Sequence, residues 1–282
     1  MNKLKLRLKL EQFFLEDIGD HDVTSEPIFG VKEKGKIVFI AKENGVFCGE
    51  DIIRMGFKIL DDEITTNIKV KDGERIEKGQ ALAEAEGTVA NLLKGERVIL
   101  NLVQRMSGIA TMTNKAVSVL NSSHTKICDT RKTTPGLRMF EKYAVRCGGG
   151  YNHRYGLYDA VMIKDNHISF AGSIQKAVEA VRSEIGHMVK IEVETETKEQ
   201  VMEAAAAKAD VIMFDNREPA EIKEWLKYIP VGTITEASGG ITFENLASYG
   251  DTGADYISLG FLTHSAKSID ISVKVLHGKG EY

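Results

Sequence analysis

The sequence predicts an α/β protein, an incomplete α/β barrel joined to a smaller N-terminal α+β sandwich domain. Three observations carry this reading. Beyond Ser123, short apolar runs ending in polar residues alternate with helix-type segments, the pattern of parallel strands joined by right-handed crossovers. Between Gly35 and about Gly87 the pattern changes to short β-type runs broken by Asn44-Gly45, Asp72-Gly73 and Lys78-Gly79. Arg131, Lys132, His153, Arg154 and Lys164 gather in one span of a chain that is slightly acidic overall. Its cationic runs follow apolar segments, so the charges stand where buried strands end, which is the catalytic face of an α/β barrel. The expected domains are residues 1–110, completed by the C-terminal segment 267–282, and a barrel over residues 111–266.

Taken in order, Leu4, Leu6, Leu8 and Leu10 alternate as in a strand while residues 11–16 favour helix, and this element stays open. The acidic loop from Glu16 to Thr24 could hold a metal but reads as a capped turn, the commoner use of clustered Asp and Thr. Lys36–Ala41 and Thr65–Val70 are the sandwich runs. Residues 70–83 resemble the second half of a lipoyl- or biotinyl-carrier domain, yet no hairpin-like position offers a convincing attachment lysine, so the scaffold is accepted and the carrier function is not. Near Gly95 a helix begins, with Ile99, Leu102, Val103, Met106, Ile109 and Ala110 on a buried face. Arg105 falls about a third of a turn off that stripe at ~100° per residue, which by spacing alone reads as an exposed helical arginine.

Strand candidates follow at Lys126–Asp129, Ala160–Lys164, Met188–Glu194, Asp210–Asp215, Gly232–Glu236 and Asp255–Leu259, with helical patterns at Leu137–Arg146, Ser173–Ile185, Thr197–Ala207, Pro219–Tyr228 and Phe243–Tyr249. That is about six strand–helix units against about eight in a closed barrel. A flat doubly wound sheet is the alternative. Against it, no Gly-x-Gly-x-x-Gly turn follows a first strand, and polar residues recur at nearly every strand end.

Composition narrows the function classes. With 37 Lys and Arg against 41 Asp and Glu there is no basic excess to neutralise a phosphate backbone, which argues against a nucleic-acid partner. Cys48, Cys128 and Cys147 are widely spaced without a Cys-x-x-Cys pair, which fits a reducing cytoplasm and excludes a disulfide framework. The first ten residues interleave cations with leucines, unlike a secretory signal, and no run approaches membrane-span length. A cytoplasmic enzyme without membrane partners is expected.

The strand ends collect Arg131, Lys132, Lys164, Glu192, Glu194, Asp215, Ser238-Gly239-Gly240, and Gly260 with Thr263-His264-Ser265. In a barrel these converge on one mouth. Arginine forks and lysine charges suit an anion with several negative groups. Glu194 and Asp215 suit a hard divalent ion such as magnesium, which takes few protein oxygens plus phosphate and water. Ser238-Gly239-Gly240 and the Gly260 turn lie where barrels bind phosphate through backbone N–H groups. Singly, each feature has a bland reading. A Ser-Gly-Gly is usually a loop, one of Glu192 and Glu194 can be a mere salt-bridge partner, and His153 or His167 alone is more often structural. Their coincidence at strand ends carries the functional reading, a phosphorylated, magnesium-associated substrate and a second, strongly anionic one.

The residues Asp129-Thr130-Arg131-Lys132-Thr133-Thr134-Pro135-Gly136-Leu137-Arg138, Glu141-Lys142-Tyr143-Ala144-Val145, Gly148-Gly149-Gly150, Asn152-His153-Arg154 and Ile163-Lys164-Asp165-Asn166-His167-Ile168 resemble quinolinate phosphoribosyltransferase, the carboxylating nicotinate-nucleotide diphosphorylase. Gln104-Arg105-Met106-Ser107-Gly108, Ile191-Glu192-Val193-Glu194, Glu236-Ala237-Ser238-Gly239-Gly240 and Leu262-Thr263-His264-Ser265 extend the likeness over essentially the whole chain. The resemblance implies transfer of phosphoribosyl from phosphoribosyl pyrophosphate to quinolinate, giving nicotinate mononucleotide, carbon dioxide and pyrophosphate with magnesium. It assigns Arg131, His153, Arg154 and Lys164 to quinolinate, Lys132 to the space between quinolinate and pyrophosphate, and Thr130 to substrate binding. Glu194 and Asp215 go to magnesium and ribose, and Ser238, Gly239, Gly260 and His264 to phosphate; Lys132, Lys164, Glu194 and Asp215 form the catalytic set. It also implies a homodimer, possible as part of a larger oligomer, in which Arg105 reaches the partner's site, reversing the exposed reading. Phe261 departs from the alanine that many members carry there.

Other readings compete. A paralogue associated with molybdenum-transport loci shares the Arg-Lys-Thr-Thr-Pro-Gly region and would act on another anionic heterocycle, but its likeness to residues 163–167 is weaker. A Schiff-base lyase or aldolase could use Lys164 or Lys190, which leaves the acidic pair unexplained.

Overall fold

A computed structural model describes residues 1–30 and 33–276. The chain divides into two compact units, residues 1–112 with 139–149 and the segment from 265 onward, and residues 113–138 with 150–264. Of the expected completing segment, residues 277–282 lie outside the described residues.

In the first unit the alternating leucines form helix α1 (Lys3–Ile18), not a strand. Leu6, Leu10 and Phe14, four apart, are buried, whereas Leu4 and Leu8 are exposed, so every second leucine packs. Asn2 caps α1 by accepting the Lys5 N–H. Asp22 accepts N–H bonds from Thr24 and Ser25 at 2.8 and 2.9 Å, which makes the acidic loop the capped entry to helix α2 (Ser25–Ile28). There follow β1 (Lys34–Ala41), β2 (Gly45–Val46), α3 (Glu50–Leu60), β3 (Thr65–Ile68), β4 (Arg75–Ile76), β5 (Ala81–Thr88) and the long α4 (Val89–Leu120). The sequence reading does not place α3, although its buried Ile52, Ile53, Gly56 and Phe57 recur at helical spacing. Helix α4 starts before Gly95. That glycine is a packing position, since a Cβ there would stand 2.8 Å from Leu60 of α3.

Strands β1, β5 and β3 with the C-terminal strand Ile271–Val275 form an antiparallel sheet in the order C-terminal strand, β1, β5, β3, with Phe39 opposite both Val273 and Ala83. Lys78 is exposed between β4 and β5, but β4 pairs with β2 and β5 belongs to the larger sheet. It is therefore not at a hairpin tip, which a carrier lysine requires. Helix α5 (Arg138–Cys147) groups mainly with this unit, although the expected boundaries put it in the barrel. Its Phe140 ring lies 5.9 Å from Phe13, its buried Glu141 pairs with Arg105, and its Tyr143 hydroxyl donates to Asp72 at 2.8 Å.

The second unit is the incomplete barrel. Its strands are β6 (Lys126–Cys128), β7 (Val161–Ile163), β8 (Ile191–Thr195), β9 (Val211–Asp215), β10 (Ile234–Ser238) and β11 (Tyr256–Ser258). The intervening helices are α6 (Asp165–Ala171), α7 (Ile174–Glu184), α8 (Lys198–Ala206), α9 (Pro219–Trp225) and α10 (Leu246–Tyr249), and α11 (Phe261–His264) follows β11. The six strands are parallel in the order β6-β11-β10-β9-β8-β7, and β6 and β7 end the sheet without pairing to each other. Strand alternation separates two faces. Ile127, Ile163, Val193, Phe214, Ala237 and Ile257 are buried on one. The register puts Met162, Glu192, Glu194, Met213, Asp215, Glu236, Ser238 and Ser258 on the other. One face thus supplies apolar packing and the other carries acids and hydroxyls. Among the described residues no helix is long and apolar enough to cross a membrane.

Candidate active site

A cavity of about 710 Å³ opens at the C-terminal strand ends of the second unit. Thr130, Arg131 and Lys132 line it from the segment after β6, His153 and Arg154 from the segment before β7, and Lys164 from just beyond β7. Glu194, Asp215 and Ser238 enter from β8, β9 and β10, Gly239 follows β10, and Gly260 and His264 lie after β11 and in α11. Arg105 does not line this cavity. It belongs to the first unit, where its guanidinium pairs with Glu141, and it is only 27% exposed, so neither is it the fully exposed arginine that spacing suggests.

The cations are held by neutral oxygens as well as acids. Arg154 Nη1 donates to the Ala160 carbonyl at 3.0 Å, yet the Nε atoms of Arg131 and Arg154 are buried without a hydrogen-bond partner. Burial, then the charge of Arg131, lowers the Arg154 pKa. Buried unpaired donors of like charge are costly unless an anion completes them. Lys132 is set by its loop, its N–H donating to Thr130 Oγ1 at 3.0 Å and its carbonyl accepting from Thr263 Oγ1 at 2.7 Å.

Opposite these, Lys164 Nζ is ion-paired to Glu194, and the Lys164 N–H donates to His167 Nδ1 at 2.9 Å at the start of α6. His167 thus shapes the turn that presents Lys164. Burial first, then Glu194, raises the Asp215 carboxyl above its ordinary range. Asn216, in the left-handed region at φ 54, donates from Nδ2 to Asp215 Oδ2 at 2.8 Å. Gly239 lies against both, with φ 81, and a Cβ there would meet Asn216 and stand 2.8 Å from Asp215 Oδ1. Gly239→Ala is therefore expected to displace the Asp215 carboxylate and raise the KM for the phosphorylated substrate by about tenfold or more, with a melting temperature within a few degrees of wild type. Steady-state kinetics beside a thermal melt check this.

Glu192, which the sequence places among the strand ends, forms a cluster with Glu236, which the sequence does not single out. His153 Nε2 lies 2.9 Å from Glu192 and 3.7 Å from Glu236. The buried Asp129 accepts the His153 N–H at 2.9 Å and an Asn152 Nδ2–H at 2.6 Å, fixing the backbone that carries His153 and Arg154. The available signal was period two along a strand, Glu192 before Glu194 and Glu236 before Ser238. Phe261, on the cavity wall, packs its ring 5.0 Å from Phe243, which gives the departure from alanine a local partner.

Comparison with known proteins agrees over the whole chain. Residues 22–107 match the N-terminal domain of quinolinate phosphoribosyl transferase and residues 109–274 its C-terminal domain. A Bacillus subtilis protein described as a probable carboxylating nicotinate-nucleotide pyrophosphorylase is 57% identical, covering 98% of this chain and 95% of its own. A mitochondrial decarboxylating quinolinate phosphoribosyltransferase of Nicotiana tabacum is 40% identical, covering 92% and 79%. The crystal structure of NadC from Streptococcus pyogenes superposes with a TM-score of 0.93 at 41% identity, covering 98% and 99%. A two-unit chain with a cation-lined cavity at the open end of a six-stranded parallel sheet, matched in both domains, belongs to the quinolinate phosphoribosyltransferase family.

Proposed function

We propose that this protein transfers the phosphoribosyl group of phosphoribosyl pyrophosphate to the ring nitrogen of quinolinate and decarboxylates the adduct to nicotinate mononucleotide, a step of de novo NAD biosynthesis. One observation carries the substrate assignment. The side chains of Arg131 and Arg154, each with a buried Nε that lacks a hydrogen-bond partner, line one cavity with His153, Lys132 and Lys164, a set matched to a small planar dianion. The N–C bond to ribose forms as the bond to pyrophosphate breaks, and Lys132 and Lys164 stabilise the charge that departs. The ring, now a pyridinium, accepts the electron pair left when the adjacent carboxylate leaves as carbon dioxide, and a proton from solvent replaces it. No side chain is needed as a dedicated base. Ser238, Gly239, Gly260 and His264 take the ribose phosphate.

Glu194 and Asp215 fit magnesium, being hard oxygen donors on adjacent strands, with Asp215 raised by burial and by Glu194 in a way that a cation would relieve. These two residues would hold the ion, and when bound it neutralises the pyrophosphate charge. The test is release of carbon dioxide from carboxyl-labelled quinolinate. Release that requires both phosphoribosyl pyrophosphate and magnesium, with nicotinate inert, is the expected result. No release from folded protein would move the assignment to another anionic nitrogen heterocycle.

In this reading the enzyme acts in the cytoplasm as a homodimer, and Arg105 completes the partner's cavity. In support, Arg105 retains partial exposure beside Glu141. Mixing inactive Arg105→Ala and Lys164→Ala chains under exchange conditions is expected to restore up to about a quarter of wild-type activity, because one site of the mixed dimer regains both residues. A folding defect from the unpaired Glu141 would not be rescued this way.

A further inference from the structure

We propose that Cys48 and Cys147 form a reversible oxidation site, a dithiol that a hydroperoxide converts to an intramolecular disulfide, with Cys147 oxidised first and Cys48 resolving it. The site lies wholly in the first unit and does not depend on the reaction assigned to the cavity. A pair that is reduced at rest and linked only under oxidant is the transient kind that a reducing compartment permits.

Stretches remote in sequence bring the sulfurs together. Cys48 is fully buried in the turn between β2 and α3, and the half-buried Cys147 is the last residue of α5. Their Sγ atoms and a carboxylate oxygen of Asp72 lie within 4.8 Å of one another. The Cys48 side is held firmly. Its N–H donates to the Ser107 hydroxyl at 3.0 Å. Beside it the Phe47 N–H donates to the Glu74 carbonyl and the Phe47 carbonyl accepts from Gly73, both at 2.9 Å. Gly73, at φ 90, lets that turn approach α5, because a Cβ there would stand 3.1 Å from the Cys147 carbonyl. Asp72 is committed elsewhere. Its Oδ1 accepts the Gly49 and Glu50 N–H groups at 2.7 and 3.0 Å, and its Oδ2 accepts the Tyr143 hydroxyl at 2.8 Å. It caps α3 and ties α5 to it, which leaves each sulfur as the reactive neighbour of the other.

Burial sets the order of the steps. A thiolate, not a thiol, attacks a peroxide, and a buried thiol resists ionisation. Burial first, then its hydrogen bond with Cys147, raises the Cys48 thiol above its ordinary range. Cys147 is the thiol that solvent reaches. There an S–O bond forms as the peroxide O–O bond breaks, giving a sulfenic acid, and the thiol proton leaves with the departing oxygen as water or an alcohol. The Cys48 sulfur then attacks the Cys147 sulfur. The S–S bond forms, the S–O bond breaks, and hydroxide leaves with the Cys48 proton as water. The bond is about 2.05 Å long, so one sulfur must move, and the shift falls on Cys147, where α5 ends and runs into Gly148-Gly149-Gly150. A dithiol reductant returns two electrons and two protons. Oxidation of Cys147 thus stops at a reversible level, short of sulfinic acid.

The test is hydrogen peroxide treatment of the full chain, followed by thiol counting and peptide mass spectrometry without reduction. Wild type should lose two of its three thiols and yield peptides joined at Cys48 and Cys147, both changes reversed by dithiothreitol. Cys128, buried in the second unit, should stay reduced. Cys48→Ala should show sulfenic acid at Cys147, trapped by dimedone, and then about tenfold or more sulfinic acid over wild type, which dithiothreitol does not reverse. In Cys147→Ser the Cys48 thiol should be consumed at most about a tenth as fast as in wild type. Sulfinic acid at Cys147 of wild type without a Cys48–Cys147 link would overturn the proposal, as would a link between two chains or undiminished consumption of Cys48 in Cys147→Ser. A stoichiometric metal ion held by the two thiols in purified protein would overturn it in favour of a metal site. If Cys48→Ala does not fold, the wild-type peptide map decides. None of these readouts uses a substrate, so a failure of quinolinate turnover leaves this site still judged.

Discussion

Lys164→Ala and Lys132→Ala are each expected to lower kcat by about 10²- to 10³-fold, the usual loss when one preorganised electrostatic donor is removed from a water-poor site. The two lysines act from different sides. Lys132 stands on the loop after β6, fixed at its carbonyl by Thr263, and Lys164 stands beyond β7, paired with Glu194. Lys164 also restrains the acids, since its charge and that of Lys132 oppose the upward shift of Asp215. Its removal therefore costs a cation and aggravates the repulsion between Glu194 and Asp215. Glu74→Ala is the control, because Glu74 is exposed in the first unit and its side chain accepts only a local N–H from Lys71 among the described bonds. It should leave kcat within about twofold of wild type and stability nearly unchanged. Rapid-mix measurement of pyrophosphate formation would read all three. Losses of similar size in Lys164→Ala and Glu74→Ala would remove the cavity from the mechanism.

The barrel was legible because its strands follow a strong local rule. Ile127, Ile163, Val193, Ile212, Ala237 and Ile257 are buried in short apolar runs whose ends turn polar, and burial of one face by helices suffices to set that pattern. The N-terminal leucines left the element open because alternation at even positions also contains the four-residue spacing of Leu6, Leu10 and Phe14, and length, not period, decides between helix and strand. Helix α5 lies inside the expected barrel boundaries yet groups by contact with the first unit, because its partners there, Phe13 and Arg105, are remote in sequence. The cations were visible as a local excess. Glu192 was visible only as one of the strand-end acids and Glu236 not as a site residue, since a buried acid looks like any other glutamate until the fold brings β8, β10 and His153 together.

Asp215→Asn separates the carboxylate pair's function from its cost. The Asp215 carboxyl is held up by burial and by Glu194, so ionising it works against the folded state. Replacing it by an amide of the same shape removes that repulsion, and the substituted side chain can still accept from Asn216 as Asp215 Oδ2 does at 2.8 Å. The metal-free variant is expected to melt at or slightly above the wild-type temperature. Its function should fall in the opposite sense, with kcat/KM for phosphoribosyl pyrophosphate lowered about 10²-fold or more and the half-saturating magnesium concentration raised at least about tenfold. Magnesium with phosphoribosyl pyrophosphate should raise the melting temperature of wild type but not of the variant, because a ligand stabilises only in proportion to its binding to the folded state. A variant that melts well below wild type and keeps its magnesium dependence would make Asp215 a structural partner of Asn216 and Gly239. A variant that gains stability while losing the metal response identifies strain kept for binding, as expected where two acids share one wall of a cavity.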